Sequence, residues 1–207
     1  MSVSTAQLLP NETPYFYTVY LSTEDNLSLR DSKYNRAAEK FMQSPIIHVE
    51  FYFPLGFQQI DPQAPPGPAS FSVLSMEEAQ FKFGRSMERE WKTLRHNVSF
   101  EVYRVIYELL LERVGMGFDT RGFWCALRCA TTAWMRDDYT FCSRLVSEVM
   151  LDSRVRLLKH EEVPDPREAT PPLLYNILKT RASHSNPLQP KLDKMTTGAL
   201  FLGSSGH

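Results

Sequence analysis

The chain has 207 residues, a formal net charge of −1, 43% hydrophobic and 12% aromatic residues. That is one domain's worth of sequence with enough apolar content for a core, and the near-neutral balance offers no overall electrostatic footprint for nucleic acid. No apolar run approaches the roughly 20 residues that span a bilayer, and the N-terminus lacks a basic region followed by an apolar stretch, so neither an integral membrane segment nor a secretory leader is expected. Three cysteines, Cys125, Cys129 and Cys142, are too few for a disulfide framework and suit a reducing, cytoplasmic setting. Cys125 and Cys129 have the spacing of one helix face and no nearby histidine, so no metal or other cofactor is expected.

Residues 1–30 read as a polar, irregular N-terminal extension, within which Tyr15 to Tyr20 is a possible edge strand. Ser32 to Met42 has the pattern of a short helix with Asp31 or Ser32 as its N-cap, closed by Pro45. Residues 46–53 alternate as a strand, with Ile47, Val49, Phe51 and Phe53 on one face and Ile46, His48, Glu50 and Tyr52 on the other. A proline-rich loop over 54–69 leads to a second strand, Ser70 to Ser75, paired with the first as an antiparallel hairpin, and Phe81 to Gly84 is a third short strand. Helices follow over Ser99 to Val114, stopped by Gly115, and from Asp119 or Thr120 onward, with Cys125 and Cys129 in its core side. Thr140 is placed to cap a helix from Phe141 to Leu151 that buries Cys142, Leu145, Val146 and Val149. A last helix is expected from Pro172 to about Lys179. The fold class is therefore α+β, a small antiparallel sheet packed against helices, with the domain over 31–182 and a flexible tail over 183–207.

Cys142 falls in the first turn of its helix, where unpaired N–H groups and the helix dipole favour a thiolate. The N–H of Ser143 could in turn hold an oxyanion. The plainer alternative is a small buried core residue, the commoner fate of a cytosolic cysteine. His48 sits in an apolar strand and needs a polar partner: a thiol, a carboxylate, or solvent on a half-exposed face. Glu50 and Tyr52 share its face. Same-face side chains on a strand stand parallel, so Glu50 is expected beside His48 but not bonded to it, and Ser72 on the neighbouring strand is the other possible orienting group. The remaining histidines lie in charged or loop segments, and no other nucleophile motif or phosphate-binding loop is present.

His48-Val49-Glu50-Phe51-Tyr52 followed by Cys142-Ser143-Arg144-Leu145-Val146 resembles the circularly permuted branch of the papain-like fold. That branch holds the NlpC-type peptidases, the lecithin retinol acyltransferases and proteins of large DNA viruses. Its histidine strand comes first and its cysteine helix later. Thr170 to Tyr175 is also similar to a downstream segment of the viral members. The resemblance implies a permuted papain-like domain with Cys142 as nucleophile and His48 as base. It also implies a third polar residue on the strand after the histidine, where this chain has Ala69-Ser70-Phe71-Ser72 and no acid.

Two functions follow. One is a thiol-dependent hydrolase or acyltransferase acting on a peptide, amide or lipid-ester substrate. The other is a catalytically weak or inactive virion or host-interaction protein that keeps the fold, located in the host cytoplasm or the virion, with host or virion proteins as its partners. A helical adaptor unrelated to papain would place Cys142 far from His48.

Overall fold

The structure is a computed structural model that describes residues 13–25, 32–74, 77–87, 91–127 and 138–185. Five strands, β1 (Tyr15–Ser22), β2 (Ile46–Phe53), β3 (Ala69–Ser72), β4 (Gln80–Phe83) and β5 (Lys92–Asn97), make one antiparallel sheet in the order β4-β3-β2-β1-β5. A two-stranded parallel ladder joins β6 (Gly117–Phe118) to β7 (Tyr139–Thr140). The helices are α1 (Lys33–Met42), α2 (Phe100–Leu111), α3 (Thr120–Leu127), α4 (Cys142–Leu151) and α5 (Pro171–Ser185), with a 3₁₀ turn over Pro166–Glu168. The α+β class is thus established. No helix among the described residues is long and apolar enough to cross a membrane.

Local chemistry explains the helix starts. Ser32 accepts from the Asn35 N–H, Ser99 from the Val102 N–H at 3.2 Å, and Asp119 Oδ1 from the Gly122 N–H at 2.7 Å. Each satisfies one of the N–H groups a helix start leaves unpaired. Helix α2 is followed by Gly115 at φ +86°, a left-handed conformation that suits glycine.

The main core lies on one face of the sheet. Phe16 and Tyr20 of β1, Val49, Phe51 and Phe53 of β2, and Phe71 of β3 pack with Ile106 and Leu110 of α2 and Leu145, Val146 and Val149 of α4. Fully burying one such leucine contributes about 1.5–3 kcal/mol, so α4 is seated firmly on the sheet. Leu174 near the start of α5 joins this core, and Tyr175 meets the Tyr20 ring edge-on at 5.0 Å. The opposite face carries Val19, Leu21, Tyr52 and Trp91. The long loop between β2 and β3 is pinned at its base: a Cβ at Gly56 would stand 2.1 Å from the Gly67 carbonyl oxygen, and Tyr103 donates to the Gly56 carbonyl at 2.9 Å.

Several expectations need correction. The strand at Tyr15 is not an edge but lies between β2 and β5, so the N-terminal 1–30 is not wholly an extension to the domain. β5 was not expected at all. Its residues, Lys92-Thr93-Leu94-Arg95-His96-Asn97, are mostly polar and partly exposed, as suits a sheet edge, and only pairing with β1 selects the extended form. β3 ends at Ser72 instead of Ser75, and α5 begins at Pro171 and runs to Ser185, past the expected domain limit at 182. Thr140 belongs to β7. The cap position of α4 is Phe141, with extended backbone and no side-chain hydrogen bond. Cys125 is half-buried and not a core residue, and Cys129 and the segment 186–207 lie outside the described residues.

Candidate active site

The site begins with an irregularity in β2. Leu21 of β1 lies opposite His48, but the next residue, Ser22, lies opposite Ile46, so Ile47 is an extra residue in the ladder. Such a bulge bends the strand, sharpens its twist and re-aims the side chains beside it. The alternation expected for 46–53 breaks here. Ile46 joins the main core with Val49, while Ile47 packs separately with Ala38, Phe123 and Phe141. All eight residues of β2, the central strand of the sheet, are buried.

β3 pairs with β2 only from Phe51 to Phe53. The Ile46–Glu50 half has no β3 neighbour on that side, and α4 begins against it. Helix α4 brings Cys142, 3% exposed, directly against His48, 8% exposed. The backbone N–H groups of Val49 and Ser143 also lie close enough to the thiol sulfur to lower its pKa. The helix start and the strand therefore share the sulfur.

Electrostatics at this pair favour charge separation. Burial pushes the His48 imidazole pKa down, but the neighbouring Cys142 and then Glu50 outweigh it and hold His48 at about 9. Burial pushes the Cys142 thiol up, but the charge and hydrogen bond of His48, with the two backbone N–H groups, bring it below the ordinary thiol value. Each group thus shifts the other toward its charged form.

Glu50 is 1% exposed. Its Oε2 stands 3.5 Å from His48 Nε2, an ion-pair contact longer than a well-formed hydrogen bond, and its Oε1 accepts from Arg85 Nη1 at 3.4 Å. The Arg85 guanidinium in turn lies 4.4 Å above the centre of the Trp91 ring. Glu50 thus stands beside His48 without a hydrogen bond between them, as expected; the ion-pair contact, which the bulge and the flexible carboxylate arm allow, was not foreseen.

The other expected residues take different places. Ser72 is buried, and its hydroxyl makes no hydrogen bond, as is true of Ser70. Neither serine orients His48. Tyr52 is buried against Val19, Leu21 and Trp91, with the Met87 backbone N–H near its hydroxyl. The N–H of Ser143 points at the sulfur, and its side chain, which had no expected role, donates to the Ala169 carbonyl at 2.8 Å, riveting the start of α4 to the segment before α5. His96 is set apart: it pairs with Thr18 Oγ1 at 3.0 Å and stacks on Phe16.

Arg85 and Trp91 were not foreseen. Arg85 follows Gly84 in a short charged stretch with no periodicity, and nothing in that stretch signals a buried acid elsewhere. Among the described residues no three His, Cys, Asp or Glu side chains gather as a metal-binding group. No protein-family model, curated protein or solved structure matches this chain, and its chemistry is therefore read from its own residues.

Proposed function

We propose that this protein is a thiol-dependent hydrolase or acyltransferase acting on an amide or ester, with Cys142 as nucleophile and His48 as its acid–base partner, on a permuted papain-like domain. The observation that supports it most is the buried thiol–imidazole contact between a helix start and a strand, with each group shifting the other toward its charged form.

The chemistry balances as follows. In the resting pair the thiol proton resides on His48. Cys142 sulfur attacks the carbonyl carbon, a C–S bond forms, and the carbonyl electron pair moves to oxygen. The Ser143 N–H at the start of α4 is the backbone donor assigned to that oxyanion once the sulfur has spent its charge. Collapse breaks the bond to the amine or alkoxide, which takes the proton from His48. Water, or an acceptor alcohol or amine, then attacks the thioester, returns a proton to His48 and releases the acid or the transferred acyl product. Glu50 holds the imidazole by its Nε2 side, which leaves Nδ1 for the thiol.

The test is a panel of peptide, isopeptide, amide and lipid-ester substrates with mass spectrometry of the protein. An acyl adduct on Cys142 that turns over, and is absent in Cys142→Ala, is the expected result. Absence of any adduct across the panel, with Cys142 unreactive to thiol reagents, would leave the inactive virion or host-interaction protein as the reading.

A further inference from the structure

We propose that Arg85 is a positioning residue of the thiol site, acting through Glu50: it supplies the positive charge that lets a buried carboxylate stand beside His48, and so keeps the imidazole protonated next to Cys142. The inference rests on the thiol–imidazole reading above.

The geometry is a row of four groups. Cys142 meets His48, His48 Nε2 meets Glu50 Oε2 at 3.5 Å, and Glu50 Oε1 meets Arg85 Nη1 at 3.4 Å. With the thiol ionised the signs alternate, and the row as a whole is neutral. A carboxylate this deeply buried needs compensating charge and hydrogen bonds. The hydroxyls that could have donated, Ser70 and Ser72 on the same sheet face, make no hydrogen bond. Among the described residues, compensation comes from His48 on one side and Arg85 on the other.

Among the described residues the other charged or titratable groups are engaged elsewhere: Glu39 of α1 accepts from the Thr23 hydroxyl at 2.9 Å, and Arg181 of α5 is bound to Glu162 at 2.9 Å. From β4, Lys82 is paired with Glu77 at 3.2 Å. From β2, Tyr52 has the Met87 backbone N–H near its hydroxyl, and β1 presents Val19 and Leu21 to this face, with Tyr17 beside Tyr52. From α4, Cys142 is the group that faces His48, and Arg144 is bound to Glu148 at 2.7 Å and to the Tyr139 carbonyl. Arg85 also has the right chemistry. A guanidinium keeps its charge at any working pH, and its flat face suits the Trp91 ring that covers it.

Removing the Arg85 charge leaves the row with a net charge of −1. Neutrality is restored by a proton at Cys142 or at Glu50. The first neutralises the nucleophile, and the second strips His48 of its anionic support. Both raise the thiol pKa.

The experiment is the pH dependence of Cys142 alkylation by iodoacetamide in the full chain, followed by mass spectrometry, with the His48 imidazole titration followed by NMR. In Arg85→Gln the alkylation midpoint is expected to move up by at least about one pH unit, roughly a tenfold slower reaction at pH 6 with the alkaline plateau unchanged. The His48 titration moves down with it. Arg85→Lys restores most of both. In a Glu50→Gln background, Arg85→Gln has no further effect, because the charge it compensates is gone; this pair of variants also avoids an unpaired buried carboxylate, so it reports even where Arg85→Gln alone folds poorly. A midpoint in Arg85→Gln that superimposes on wild type, or an equal slowing at every pH, overturns the role of Arg85 and leaves the thiol–imidazole reading standing. A wild-type Cys142 that titrates as an ordinary thiol overturns both.

Discussion

His48 Nε2 lies 3.5 Å from Glu50 Oε2, although both side chains leave the same strand two residues apart. Regular same-face neighbours are about 6.5–7 Å apart along a strand and stand parallel. The extra residue Ile47 twists β2 where His48 emerges, and the glutamate arm is long enough to close the remaining gap. A second acid on the neighbouring strand is therefore not required to support the imidazole.

Cys142 is expected to react with a small neutral alkylating agent with a pH midpoint below that of an ordinary thiol. The sign follows from a thiol held below its ordinary value by His48. A free cysteine control, with a pKa of about 8.5, slows roughly tenfold per unit below that value. His48→Gln removes the largest lowering influence and leaves burial to push the thiol up, so alkylation at pH 6 should fall at least about tenfold. Mass spectrometry of the modified peptide checks this, and a His48→Gln profile identical to wild type would contradict it.

Glu50→Gln should slow alkylation at pH 6 and leave the alkaline rate intact, whereas Ser72→Ala and Tyr52→Phe should change neither. Glu50 touches His48; the serine hydroxyl and the tyrosine hydroxyl do not. A loss of low-pH reactivity in Ser72→Ala with none in Glu50→Gln would reverse the assignment.

The pair also makes a definite contribution to stability against pH. Taken alone, the raised pKa of His48 gives stability that is full below about 6.5 and is lost as pH rises through about 9. The lowered pKa of Cys142 gives stability that is full above 9.0 and is lost as pH falls through its folded value. In His48→Gln the largest remaining influence on the thiol is burial, which raises it, so urea denaturation should show the advantage of wild type over that variant growing as pH rises above about 9.

Leu145→Ala should cost about 2–5 kcal/mol in denaturant unfolding, because the side chain is buried in the main core between α4 and the sheet. Leu173→Ala, at an exposed position of α5 one residue before buried Leu174, should change stability by less than about 0.5 kcal/mol. Equal effects would show that α4 is not the element that seats the thiol.

The β2 strand, the hairpin to β3, the two serine-capped helices and the helix start at Cys142 were all legible in the chain, because alternation, helical spacing, serine caps and proline stops are local signals. The same signals singled out His48 and Cys142 as chemical residues. They could not show that the residues meet, since about ninety positions of sequence separate them and only the seating of α4 beside β2 closes that distance. β5 was invisible for a related reason: six mostly polar residues become a strand only when β1 supplies hydrogen-bonding partners. The support for His48 lay furthest out of reach. It depends on one extra residue in β2 that turns Glu50 into contact, and on Arg85 and Trp91 arriving from another part of the chain. Local patterning records which faces are apolar; the compensation of a buried charge is a property of three-dimensional neighbours, and only the tertiary structure decides it.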